Sequence, residues 1–111
     1  MIVALSELTE ALNRTTKMKR APAGARSEKL KEGAFVPELT GFRVEMPGGS
    51  SLVNAKSGKL DKEIVFEAKL LISIAKVLGT YRNEEDVVII DVTSKDVTFR
   101  CGTSRLTIPI M

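Results

Sequence analysis

Residues 63–111 restrict the fold more than any other part of the chain, because strand formers, helix formers and turn residues follow one another there in unambiguous blocks. Glu63-Ile64-Val65-Phe66-Glu67 is rich in strand formers and runs without Gly or Pro into residues 68–78, which favour helix. Gly79 is expected to stop that helix, residues 80–86 to form a polar connection, and the β-branched residues 87–92 to form a largely buried strand. Ser94-Lys95-Asp96 then turns the chain into a short strand at residues 97–100. Cys101-Gly102-Thr103 makes a second turn, and residues 105–110 alternate Arg, Leu, Thr and Ile around Pro109. The order of elements is β-α-β-β-β.

The first half reads as a looser version of the same order. Residues 1–5 predict a strand entering a helix at Ser6, a good N-cap, with Glu7 and Glu10 in the first turn, where the helix dipole favours acid. Leu5, Leu8, Leu12 and Thr15 form its buried stripe. The helix ends basic, with Arg14, Lys17, Lys19 and Arg20. Residues 21–31 carry Pro22, Gly24, Arg26, Lys29 and Lys31, the composition of a flexible loop spanning about residues 20–32. Residues 41–46 alternate Phe42, Val44 and Met46 with Arg43 and Glu45, and Pro47-Gly48-Gly49-Ser50 turns that strand into residues 51–56. Sliding the chain by about 62 positions lays Ile2-Val3 on Ile64-Val65, Leu8 on Leu70, Leu12 on Ile74 and Arg14 on Lys76. A single domain results, its first repeat at residues 1–60 and its second at 61–111.

Composition removes several classes of function. Among 111 residues there is no histidine, so no Ser-His or Cys-His pair exists, and one cysteine with scattered carboxylates gives no zinc spacing. Asp86 and Asp91 bracket a strand and point to opposite faces, and Gly58-Lys59 is followed by Leu60 rather than Ser or Thr, so neither an acid pair nor a phosphate loop forms. A non-enzymatic protein without metal or cofactor is expected. No apolar run is long enough to span a membrane, no leader pattern is present, and the lone Cys101 suits a reducing compartment, all pointing to a cytoplasmic protein. The net charge of +3 is compatible with nucleic acid without requiring it.

The second half resembles one domain of the bacterial DNA polymerase sliding clamp. The resemblance rests on residues 63–78, on Glu85-Asp86-Val87-Val88-Ile89-Ile90, and above all on Arg100-Cys101-Gly102-Thr103-Ser104-Arg105-Leu106-Thr107-Ile108, a strand ending in a small residue and Gly, then Ser-Arg and an alternating strand. It implies an α+β fold of two β-α-β-β-β units, with two helices packed on one face of antiparallel sheets. It also implies a part in DNA replication, through rings of six such domains whose helices face double-stranded DNA. The family's clamps carry three domains per chain.

Sliding along DNA needs cations on an exposed helix face that meet phosphates without reading bases. Lys69, Ser73 and Lys76 make such a stripe at i, i+4 and i+7, opposite Leu70, Leu71, Ile74, Val77 and Leu78, and Arg14 and Lys17 are its expected equivalents on the first helix. A solvated face of an amphipathic helix accounts for the same lysines, and the dipole alone accounts for the basic helix end. Self-assembly would use the last strand, where Arg105, Leu106, Ile108 and Ile110 lie at an expected sheet edge. The alternative to a DNA-associated clamp is an oligomerisation or protein-interaction module that keeps the clamp fold and binds no DNA.

Overall fold

The structure, a computed structural model, describes residues 1–17 (side chains as far as Thr15), 32–46, 49–80 and 86–110. Along them run β1 (Ile2–Ala4), α1 (Leu5–Lys17), β2 (Glu32–Glu38), β3 (Gly41–Met46), β4 (Gly49–Ser57), β5 (Ile64–Glu67), α2 (Ala68–Gly79), β6 (Val87–Val92), β7 (Asp96–Cys101) and β8 (Ser104–Pro109). This is β-α-β-β-β twice. The expected loop at residues 21–31, the Pro47-Gly48 turn and most of the polar connection after α2 fall outside the described residues.

All eight strands join one antiparallel sheet in the order β5-β2-β3-β4-β1-β6-β7-β8. The opening strand of each unit crosses to the other unit: Val3 of β1 lies opposite Val88 of β6, and Ile64 of β5 lies opposite Phe35 of β2. That exchange ties the two halves into one core. The sheet is also curled. Phe35 on β2 and Phe99 on β7 are five strands apart in the order, a span of about 24 Å in a flat sheet, yet their rings are 6.2 Å apart. Phe42 at 4.6 Å and Phe66 at 5.0 Å complete a cluster around Phe35, and all four rings are fully buried.

The helices lie against each other, α1 over β3 and β4, α2 over β2 and β5. Leu8, Ala11, Leu12 and Thr15 of α1 are buried, and so are Leu71, Ile74, Ala75 and Leu78 of α2, a one-to-one match at a separation of 63. The ungapped alignment at 62 is therefore one residue out in the helices, because β5 has four residues where β1 has three. The three strands that follow each helix start 55 residues apart. Thr15 stays polar in its buried slot by donating its hydroxyl to Ala11 O at 2.9 Å.

Four local expectations change. The first helix begins at Leu5, so Ser6 sits inside its first turn instead of capping it. Gly79 is the last residue of α2, and the stop comes from Thr80, whose amide and hydroxyl both donate to Val77 O, at 3.0 and 2.7 Å. In β6 only Val88 and Ile90 are buried: Val87, Ile89 and Asp91 lie on the outward face, where Asp91 pairs with Arg100 at 2.8 Å, and Val92, on the inward face, is exposed at the end of the strand. Gly49 and Ser50, expected in a turn, open β4, which runs on to Ser57 to meet β1. In β2, which continues through Pro37, β5 pairs only as far as Phe35, so the proline lies where β2 has a single strand neighbour.

Candidate nucleic-acid interface and sheet edges

The solvent side of α2 carries Lys69, Ile72, Ser73 and Lys76, all exposed, in a single stripe. Helical spacing alone produces it: the residues at the remaining positions face the sheet or α1, with Leu70 and Val77 half-buried at the margins. Lys69 lies 3.4 Å from Glu67, and both side chains are so exposed that the pair contributes little to stability. Lys76 forms no ion pair among the described residues, and it stands in the last turn, where the dipole favours a cation.

On α1 the corrected repeat gives Lys76 a different counterpart. Its equivalent is Asn13, and Arg14 corresponds to the half-buried Val77. Arg14 accordingly leans onto the sheet, donating from Nη1 to Ser51 Oγ at 3.0 Å, with Glu10 at 3.9 Å. The expected pairing of Arg14 with the lysine stripe is thus displaced by one position around the helix. Lys17 closes α1, outside the residues whose side chains are described. Glu7 and Glu10 bring negative charge to the same helix.

Besides β5, which ends the strand order beside β2, the described residues offer two open strand runs of matching length. β8 ends the strand order and pairs only with β7. Cys101 and Ser104 close a two-residue hairpin that contains Gly102 at φ 60°, so the backbones of Ser104, Leu106 and Ile108 face β7 and those of Arg105, Thr107 and Pro109 face away. The apolar side chains expected to make this edge attractive point inward: Ile108 is buried, and Leu106 and Ile110 pack against the core half-buried. Backbone groups, with Arg105 and Thr107 exposed beside them, are what the edge presents.

The second edge was not expected. β1 reaches only Ala55 and Ser57 of β4, so residues 49–54 pair with β3 alone. The Ala55 amide donates toward β3, to Thr40 O at 2.8 Å, and alternation turns the backbones of Ser50, Leu52 and Asn54 to the open side. With the separation of 55, residues 49–54 are the counterparts of the six residues of β8. No composition signal marks such an edge; it follows from β1 being too short to cover β4.

Among the described residues no group of three or more His, Cys, Asp or Glu side chains is placed to hold a metal, and no helix is long and apolar enough to cross a membrane.

No protein-family model matches the chain, and no curated protein matches it. Solved structures do. The beta subunit from DNA polymerase of Streptococcus pyogenes superposes with a TM-score of 0.71 at 16% identity, over 98% of this chain and 29% of that one. The DNA polymerase III beta subunit from Thermotoga maritima superposes with a TM-score of 0.65 at 13% identity, over 99% of this chain and 29% of that one. The chain therefore spans less than a third of the length of each. At these identities the likeness concerns architecture, and the architecture is that of the sliding clamp: two β-α-β-β-β units, two helices side by side, and one antiparallel sheet behind them.

Proposed function

We propose that the chain is a clamp-like, DNA-associated protein without enzymatic activity, assembled edge to edge from several copies and touching the DNA backbone with the exposed faces of its two helices. The observation that carries this reading is the pairing of a clamp architecture over nearly the whole chain with a stripe of Lys69, Ser73 and Lys76 on the helix layer. The open run of β8 on one copy lies along the open run of β4 on the next, each six residues long. Joining two different edges makes a head-to-tail contact, which yields a ring when the rotation closes. Double-stranded DNA bound without sequence preference is the partner that a lysine stripe of this kind fits.

Two measurements test it. Lys69→Glu with Lys76→Glu should abolish retention on duplex DNA at low salt, and neutralising the same two positions with Gln should flatten the log–log salt dependence by about two units if each lysine neutralises one phosphate. Retention that is absent in the wild-type protein, or unchanged in both variants, removes DNA contact through this face. For assembly, absolute mass by light scattering across a range of concentrations should show a discrete oligomer, six copies being the ring the clamp architecture suggests. Leu52→Pro should return it to monomer, because proline removes an edge amide without touching the β3 ladder.

One feature of α1 favours the second reading, an oligomerisation module that binds no DNA: its exposed face carries the acidic Glu10, Glu7 beside it is half-buried, and Arg14 is engaged with Ser51. A discrete oligomer indifferent to DNA and salt would decide for that reading.

A further inference from the structure

We infer that Glu7 guards the open edge of β4 and sets how readily a second copy adds a strand there. The inference rests on the edge-to-edge assembly proposed above. Just beyond the point where β1 stops covering β4, the Asn54 amide has no strand acceptor, and the Glu7 carboxylate takes it, Oε2 accepting at 2.7 Å. This is the rung next to β1, where an incoming strand would first meet the existing ladder. A carboxylate is a stronger acceptor than a backbone carbonyl, so any strand completing the edge must displace a charge-assisted hydrogen bond to gain a neutral one.

Position and origin both suit a guard. Glu7 comes from the first turn of α1, where the helix dipole holds it, and α1 is fixed to the same strand by the hydrogen bond from Arg14 to Ser51. The helix thus spans residues 51–54 of β4 with two side-chain contacts, one at each end. β8 has a blunter device at the equivalent place: Pro109, the counterpart of Asn54, has no amide to offer. Natural edges are protected by charges and prolines of this kind, and here one edge carries each.

The test compares self-association of the full chain by sedimentation or light scattering. Glu7→Ala leaves the Asn54 amide open and should tighten association by about five- to tenfold, the worth of one exchanged hydrogen bond. Glu7→Gln keeps an oxygen acceptor without its charge and should fall between wild type and Glu7→Ala. Equal tightening in both variants would assign the effect to lost repulsion instead of the capped amide and overturn the inference. If wild type associates, Leu52→Pro abolishes that association and Glu7→Ala leaves the constant unchanged, the guard falls while edge assembly stands. If no version associates at any concentration, both fall.

Discussion

Phe35→Ala is expected to lower the stability of the fold by about 3–5 kcal/mol, the cost of deleting a fully buried aromatic and leaving its cavity, a large share of the roughly 5–15 kcal/mol that holds a domain folded. Phe35 is the ring through which the two units meet. It touches Phe42 and Phe66 on the strands flanking β2, and Phe99 on β7 across the curl of the sheet. Its loss opens the middle of the core instead of one margin. Urea denaturation followed by circular dichroism checks the size of the effect. A double-mutant cycle with Phe99→Leu checks its origin, with a coupling of about 0.5–1.5 kcal/mol expected for an edge-on aromatic pair. A loss below about 1 kcal/mol for Phe35→Ala would mean that the curled sheet is not held by this cluster.

The strength of that prediction contrasts with how the sequence advertised the core. Residues 63–111 announced their elements because Gly or polar turn residues bounded all of them except at the direct join of strand to helix at residues 67–68, and the structure follows them within a residue or two. In the first half Pro37 hid β2, since a proline argues against a strand unless one side of it lacks a partner, and that depends on β5 arriving from the other unit. The repeat was visible, but a register read from apolar residues tolerates an error of one position on a helix, whose buried face is several residues wide. That single position moved Arg14 off the lysine stripe and onto Ser51. The Lys69, Ser73 and Lys76 stripe was legible because local spacing alone creates it. The β4 edge and the Glu7 contact were not, because both depend on how far β1 extends along a strand more than fifty residues away.

The hairpin of β2 and β3 supplies the other large effect, at Gly41. This glycine is not there for a left-handed backbone: only Gly58 and Gly102 have positive φ among the described residues. Its requirement is space. A Cβ at position 41 would lie 2.0 Å from Val53 O and 2.8 Å from Ala55 N, both backbone atoms of the strand opposite. Flexible side chains can yield to such an intrusion, but here β4 itself would have to move, and β4 is held by β3 along residues 49–54 and by β1 at Ala55 and Ser57. Gly41→Ala is therefore expected to lose about 3 kcal/mol or more, at or beyond the upper end of ordinary overpacking. Gly79→Ala is the control. Nothing lies within 4 Å of a Cβ there, and an alanine at a helix end should be neutral or stabilise by up to about 1 kcal/mol. Thermal melts of the two variants should separate by well over 10 °C, taking roughly 4–8 °C per kcal/mol for a domain near this size. The damage from Gly41→Ala should also reach the open run of β4, because the strand that must shift is the one carrying Leu52 and Asn54. Any variant population that remains folded should therefore self-associate less than wild type. Retained association alongside a large loss of stability would place the assembly surface on β8 alone.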